Sequence, residues 1–172
     1  GEERLPDLVA LEDVVGEVDR ERTRRRWARS SGGAGLEAVL GVCERGAVRV
    51  DLVRSGPHAL MAGTTGAGKS ELLTSWLLQL ALALPPQRLS LVLVDYKGGA
   101  AFGALTDLPH TAGLLTDLDP ALTTRALTCL EAEVGRRERL LAVHGARDLG
   151  DLERRCRSGP ASGTLAREEA PP

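Results

Sequence analysis

The sequence predicts an α/β fold with a mostly parallel sheet, preceded by a helix and a β-hairpin. Three observations support this. A glycine-rich loop lies between a short apolar run and a long apolar helix, a second apolar run follows at 89–94, and a third comes at 111–115. Short apolar runs alternating with helices are typical of parallel strands joined by crossover helices. We expect a lead-in with the basic helix and hairpin at 1–54, an incomplete core at 55–150 and a linker-like tail at 151–172.

Length and composition limit the class of protein. A chain of 172 residues suits one domain with a real core, and its net charge of -2 provides no overall basic field for nucleic acid. Cys43, Cys129 and Cys156 are widely spaced, so we expect neither a zinc site nor a disulfide framework, as is typical of a reducing cytosol. No apolar run is long enough for a membrane span. Because residue 1 is glycine, we expect the sequence to be an excerpt from a longer protein.

The lead-in contains a short basic helix, predicted over Asp19–Arg29. Asp19 is the expected N-cap and Trp27 the expected anchor to the body. We interpret its arginines as a solvated face balanced by Asp19 and Glu21, with contact to a nucleic-acid phosphate or an acidic neighbour as the alternative. These arginines are Arg20, Arg22, Arg24, Arg25, Arg26 and Arg29.

The hairpin is predicted over Leu36–Val53, with its turn at 44–46. Apolar residues alternate with other residues on both sides of that turn, and such alternation indicates strands with one buried face. The residues expected on this common face are Leu36, Ala38, Leu40, Val42, Val48, Val50 and Leu52.

A phosphate-binding loop is predicted at 63–70, where the sequence matches the pattern G-x-x-x-x-G-K-S/T. His58–Ala62 before it is short and apolar, as a buried strand should be. The loop glycines permit backbone torsions that a side chain forbids, so that backbone N–H groups can point at an anion near the positive end of the next helix. The alternative is a glycine-rich turn that binds no ligand.

The pattern also assigns roles to single residues of the loop. Lys69 is expected to contact the β- and γ-phosphates of a nucleotide, and the Ser70 hydroxyl is expected to ligate Mg²⁺. The candidate nucleotide-binding residues are Gly63, Thr64, Thr65, Gly66, Ala67, Gly68, Lys69, Ser70 and Glu71.

The next helix and strand bring a carboxylate to the edge of the sheet. Glu71–Leu84 is predicted as a buried helix ended by two prolines, and Leu89–Val94 as a strand covered on both faces. Asp95 ends that strand and is a candidate Mg²⁺ ligand and catalytic acid, with a loop cap as the alternative. Tyr96 follows it, so no general base accompanies Asp95. Lys69 and Lys97 are the only lysines among the 22 basic residues, and the others are arginines. Lys97 is therefore present either because the chemistry of lysine is needed there or by chance.

The remaining elements are a third strand and a long helix. The strand is predicted over Thr111–Leu115, and the helix runs from about Pro120 to His144, with Asp119 as N-cap and Gly145 as the stop. Near its end, residues 136, 137 and 139 are arginines that suit the helix dipole, with an arginine finger as the alternative. One or two further helical turns are expected within 148–157.

Several separate sequence blocks, in order and in register, carry a resemblance to a known family. Together they resemble the FtsK/SpoIIIE ATPase domain, and Asp95-Tyr-Lys-Gly-Gly99 and Leu108-Pro-His110 look most like the EccC/EssC ATPases of type VII secretion. The other blocks are Gly56–Leu60, Lys69–Leu72, Phe102, Gly113, Thr116–Asp119, Arg125–Leu127, Glu131–Glu133 and Arg137–Glu138.

The resemblance implies a RecA-like P-loop NTPase core that uses ATP with Mg²⁺. It also implies a ring-forming homo-oligomer or tandem ATPase domains, in a large parent anchored at the inner face of the plasma membrane by parts absent from this chain. The cargo would be double-stranded DNA in one branch of the family and secreted protein in the other. The scarcity of aromatic residues favours protein over DNA.

One departure from the family pattern concerns catalysis. The family's aspartate-glutamate pair lies on a strand beyond the long helix, whereas no apolar run ending in Asp-Glu follows Leu141 here. Asp95 is therefore not expected to be the hydrolytic acid, and we expect either an excerpt that stops early or a truncated gene. The predicted function is the ATP-binding part of a translocating ATPase. The alternative is a catalytically incompetent remnant that acts as a static nucleotide-binding or interaction module.

Overall fold

The fold combines an antiparallel hairpin with a parallel two-stranded sheet around one central helix. The computed structural model describes residues 5–6, 8–30, 35–96, 102–116 and 120–158. Strands β1 and β2 pair antiparallel, and β3 and β4 pair parallel, so the predicted α/β class with a parallel sheet is confirmed. The elements are α1 Leu11–Val15, α2 Arg20–Arg29, β1 Glu37–Cys43, β2 Gly46–Asp51, α3 Lys69–Ala83, β3 Leu91–Asp95, α4 Gly103–Thr106, β4 Thr111–Thr116, α5 Pro120–Val143 and α6 Leu149–Ser158.

The predicted hairpin is confirmed, but a β-bulge changes one of its faces. Ala38 pairs with Val50 and packs against α3, while the register shifts between Val39 and Gly41. An extra residue inverts the alternation of side chains beyond it. Val42 therefore lines the same surface groove as Val39, and the prediction that it shares the face of Ala38 is wrong.

Helix α3 is the centre of the core, and every residue from Leu72 to Leu82 is buried or half-buried. On one side Trp76 and Leu80 pack against the hairpin, and on the other Leu73 and Leu77 pack against the cluster formed by β3 and α4. The prediction of a buried helix after the glycine-rich loop is confirmed. The packing on both sides fixes the direction in which the first turn of α3 points.

A buried glutamine fastens α3 to the hairpin at the bulge. The Gln79 side chain accepts from the Val39 N–H and donates to the Val39 carbonyl, both at 2.8 Å. The Gln79 side chain thereby makes the hydrogen bonds to Val39 that a neighbouring strand would otherwise make. Gln79 is 6% exposed, so water cannot replace these bonds.

We therefore expect Gln79→Leu to lower the free energy of unfolding by about 2 kcal/mol, because two buried backbone groups lose their partners. Urea unfolding followed by circular dichroism measures the change. Gln87→Leu is the matched control, since Gln87 is exposed and should tolerate the same substitution within about 0.5 kcal/mol. Equal stability of the two variants would contradict the assigned role of Gln79.

The C-terminal end of α3 is held by two rings. Trp27 of α2 donates its indole N–H to the Ala81 carbonyl at 3.0 Å, which confirms Trp27 as the anchor of the basic helix. Nε2 of His110, which is 3% exposed, donates to the Leu84 carbonyl at 2.8 Å. The two rings meet edge to face with centroids 5.5 Å apart. Helix α2 is thus fixed to the end of α3 opposite the glycine-rich loop.

One face of the parallel sheet is buried, and the other is only partly covered. Leu91 and Leu93 are buried, whereas Val92 is 39% and Val94 45% exposed, so the prediction of a strand covered on both faces is wrong. Helix α5 lies across the second face but leaves a groove of about 740 Å³. Its Val134, which lines this groove, stays 55% exposed because the helix stands away from the strands.

The segment before the glycine-rich loop is not a strand. Residues 58–62 have no regular structure, and Leu60 is 96% exposed, so the prediction of a buried strand over His58–Ala62 is wrong. A strand needs a neighbour to accept its hydrogen bonds, and no strand in the described ranges pairs with this segment.

The two C-terminal helices differ in how well they match the predictions. Helix α5 ends as predicted at Gly145, whose φ is +58°, and the Ala146 N–H closes the end by donating to the Leu141 carbonyl at 2.9 Å. The predicted N-cap of α5 lies outside the described residues. Helix α6 has ten residues, more than the one or two turns expected.

Helix α6 is attached to the body by an ion pair and an apolar contact. Arg88 Nη2 lies 2.6 Å from Glu153 Oε1, with both side chains about three-quarters covered, and Leu152 is buried. The boundary drawn after residue 150 therefore lies inside a packed helix. Residues 159–172 are outside the described part, and the division of the chain into three parts stays a prediction.

Candidate nucleotide-binding site

The glycine-rich loop closes on itself in front of α3. Gly66 and Gly68 have φ values of +79° and +78°, in the left-handed region where a side chain costs roughly 1–2 kcal/mol. A Cβ on Gly63 would lie 3.3 Å from the Cβ of Ala67, so this position has little room for a side chain. The pattern therefore has glycine where a positive φ, or the short distance between Gly63 and the Ala67 side chain, requires it.

The backbone N–H groups of the loop are available to bind a ligand. The Ala67 N–H donates to the Thr64 carbonyl at 3.2 Å, which closes the turn. Five others make no hydrogen bond to another group among the residues that the structure describes; they belong to Gly66, Gly68, Lys69, Ser70 and Glu71. The same five residues line a cavity of about 260 Å³ at the N-terminus of α3. Unpaired donors at the positive end of a helix are the usual setting for a phosphate group.

Lys69 adds a full positive charge to this cavity. Its ammonium donates to the carbonyl oxygens of Gly63 at 2.8 Å and Thr64 at 2.6 Å. The side chain therefore folds back over the loop instead of extending into solvent. Two carbonyl oxygens partly balance the charge in this structure, and phosphate oxygens carry more negative charge than they do.

The donor set of this site fits a nucleotide triphosphate with Mg²⁺. The N–H groups and the Lys69 ammonium are all hydrogen-bond donors, as a polyphosphate requires. Ser70 and Glu71 line the cavity with exposed side chains that offer oxygen atoms. Because Mg²⁺ usually keeps several waters and binds phosphate oxygens, one or two protein oxygens are enough to hold it.

Two other predicted site residues are not brought to this cavity. Asp95 ends β3 as predicted and is half-buried, but it is not among the residues that line the cavity. Its roles as Mg²⁺ ligand and catalytic acid stay predictions. Lys97 lies outside the described residues.

The arginines of α5 have a different role from the one predicted. Arg136 Nε and Arg137 Nε each lie 2.7 Å from a carboxylate oxygen of Glu133, and these bonds lower the pKa of Glu133 to about 2. The last turn of α5 contains no basic residue, so the prediction that these arginines act on the dipole there is wrong. Arg137 and Glu133 lie at the groove between α5 and the sheet. The arginine-finger alternative stays a prediction.

None of the described helices combines the length and apolar character that a transmembrane span requires.

The loop, the helix that follows it and the parallel strands together define a P-loop NTPase core. Residues 18–164 match the FtsK/SpoIIIE family, and the chain belongs to this family. Both the predicted P-loop NTPase fold and the family resemblance are therefore confirmed.

Three similar proteins come from secretion systems. The chain is 33% identical over 163 residues to the type VII secretion system protein EssC of Staphylococcus aureus strain Mu50, and 30% identical over 164 residues to the ESX secretion system protein YukB of Bacillus subtilis. These matches cover 92% and 91% of the chain but 11% of each relative, so the chain spans about a tenth of their length. The solved cytoplasmic domain of the type VII secretion ATPase EccC of Thermomonospora curvata matches with a TM-score of 0.74 and 30% identity, over 88% of this chain and 19% of that one.

Proposed function

We propose that this chain is the ATP-binding part of a translocating ATPase that moves secreted proteins. The observation that carries the proposal is the loop at the start of α3, where unpaired N–H groups and the Lys69 ammonium surround one cavity. The similarity to EssC, YukB and EccC supports the secretion branch of the family over the DNA branch.

Each residue of the loop has a task in this proposal. The N–H groups of Gly66, Gly68 and Lys69 hold phosphate oxygens, and the Lys69 ammonium leaves the loop carbonyls to contact the β- and γ-phosphates. The Ser70 hydroxyl ligates Mg²⁺, which when bound neutralises charge on the triphosphate. The backbone torsions at Gly66 and Gly68 keep the donors pointed at one position, so little reorganisation is needed on binding.

The other features of the proposed motor follow from the family resemblance. We propose that it works as a ring-forming homo-oligomer or with tandem ATPase domains, and that any attachment at the inner face of the plasma membrane is through parts absent from this chain. For Asp95 we propose only that its carboxylate would supply an oxygen ligand for Mg²⁺, and we do not assign it the role of hydrolytic acid. The sequence beyond α5 contains no apolar run that ends in Asp-Glu, so we propose that residues 1–172 bind nucleotide with little turnover.

Titration calorimetry with Mg-ATP and Mg-AMP tests the proposal. We expect saturable binding of ATP and at least tenfold weaker binding of AMP, because AMP lacks the two phosphates that Lys69 contacts. Phosphate release by the same sample should stay close to the rate of uncatalysed hydrolysis. No heat and no thermal shift with ATP would favour the static interaction module, and rapid turnover would contradict the assignment of catalysis to regions outside the chain.

A further inference from the structure

Helix α2 carries more positive charge than its own neighbours balance. It contains six arginines and one glutamate. Three of the arginines bind groups close to them in sequence. Arg22 pairs with Glu17 and Asp19, Arg25 pairs with Glu21, and Arg26 donates to the Val15 carbonyl. Arg22 and Arg25 are exposed and fit the predicted solvated face, whereas Arg26 is half-buried.

Arg20 and Arg24 differ from those three. Both are exposed, they lie one turn apart on the same side of α2, and neither makes an ion pair or a hydrogen bond within the described part of the chain. Two unpaired guanidinium groups one helical turn apart can bind carboxylates with parallel N–H···O bonds.

An apolar cavity adjoins these two charges. Its volume is about 440 Å³, and its walls include Val18, which is 43% exposed, and the half-buried ring of Trp27. Arg20 and Arg24 themselves line it, and Thr23 and Asp19 complete the lining. The Asp19 carboxylate is engaged by the Arg22 N–H at 2.7 Å and by the Arg22 side chain at 3.1 Å, so it does not neutralise the two free arginines.

We propose that this face of α2 binds an acidic peptide segment of a partner protein, with an apolar side chain of that segment in the cavity. The guanidinium groups of Arg20 and Arg24 pair with carboxylates of the peptide, and Val18 and Trp27 contact its apolar side chain. The apolar wall favours a peptide over nucleic acid, because phosphate contacts alone would leave Val18 unused.

This site is separate from the nucleotide site. Trp27 contacts Ala81, which lies 12 residues beyond Lys69 in α3 and therefore about 18 Å along the helix axis. Binding of the peptide can thus be tested without nucleotide, and its failure would leave the proposed ATP-binding function intact.

The test uses the full chain and a fluorescein-labelled peptide of about 12 residues. The peptide repeats a unit of two glutamates followed by one leucine. Fluorescence anisotropy at low salt should show saturable binding that weakens as salt is raised. Arg20→Ala combined with Arg24→Ala should weaken binding about tenfold, because two rim charges are lost. A peptide with every leucine replaced by glutamine should bind several-fold more weakly than the leucine peptide.

The matched control is Arg29→Ala. Arg29 lies on the same helix, is exposed and has no ion pair among the described residues, but it lies about 180° around the helix from Arg20. We expect Arg29→Ala to bind the peptide with an affinity within about twofold of that of the unmodified chain. Circular dichroism checks that each variant is folded. The proposal is overturned by no peptide binding, by an equal loss in Arg29→Ala, or by tighter binding of a 12-nucleotide single-stranded DNA through the same two arginines.

Discussion

Replacing Lys69 by methionine should weaken the binding of Mg-ATP about a hundredfold. Methionine keeps most of the length of the side chain and removes the ammonium. The lost contacts are charge-assisted bonds to two phosphate groups, each worth about 1.5–3 kcal/mol, and a total of about 3 kcal/mol corresponds to a factor of roughly 100. Titration calorimetry of the two proteins under one set of conditions measures the ratio.

The contacts of Lys69 within the loop add a condition to this prediction. Lys69 donates to two loop carbonyls, so its replacement also removes two hydrogen bonds from the loop. The thermal midpoint without nucleotide should therefore be recorded beside the titration. A loss of ATP binding counts for the proposal only where the midpoint and the circular dichroism spectrum remain close to those of the unmodified chain.

Arg45→Met is the matched control for this variant, since it also replaces one cation by methionine. Arg45 lies in the turn between β1 and β2 and is exposed. It should bind Mg-ATP within about twofold of the unmodified chain. Should Lys69→Met bind Mg-ATP as well as Arg45→Met does, the loop is not a triphosphate site.

Replacing Leu105 by alanine should lower the free energy of unfolding by about 3 kcal/mol. Leu105 is 0% exposed and packs with Leu91, Leu93 and Phe102, where α4 closes the covered face of the sheet. Truncation removes buried apolar surface and leaves a cavity, and Leu→Ala substitutions in cores cost about 2–5 kcal/mol. In a chain of this size the melting temperature should fall by about 10 °C.

Leu60→Ala is the control, because it is the same substitution at a side chain that is 96% exposed. It should change the free energy of unfolding by less than about 0.5 kcal/mol. Urea unfolding of both variants gives the two values. A large loss at Leu60 would contradict the exposed position of this segment and support the strand predicted from its sequence. A small loss at Leu105 would contradict its place in the core.

Local patterns were sufficient to predict most elements of this fold. The Asp19 N-cap, the β1–β2 hairpin, the buried helix after the loop and the stop at Gly145 all depend on residues close together in sequence. Capping, turn geometry and the amphipathic period act over a few residues, so the sequence shows them directly.

Two of the incorrect predictions share one cause, which is that burial depends on neighbours distant in sequence. Residues 58–62 have the composition of a buried strand, but none of the described strands lies beside them. Val92 and Val94 have the apolar character of a covered strand, but α5 stands away from them. The bulge at Leu40 moved Val42 to the other face, and the adjacent Gly41, a glycine inside a strand, is the local signal of this bulge.

The sequence by itself determined the family of this protein and predicted the residues of its candidate nucleotide site, because a phosphate-binding loop depends on residue types at a fixed short spacing. Only the tertiary structure decided where Lys69 points, which face of the sheet is buried, and that Arg20 and Arg24 lack partners among the described residues. These features depend on distances between atoms that folding brings together, such as those between Gln79 and Val39 or Trp27 and Ala81. Contacts of that kind leave no repeating pattern in the chain.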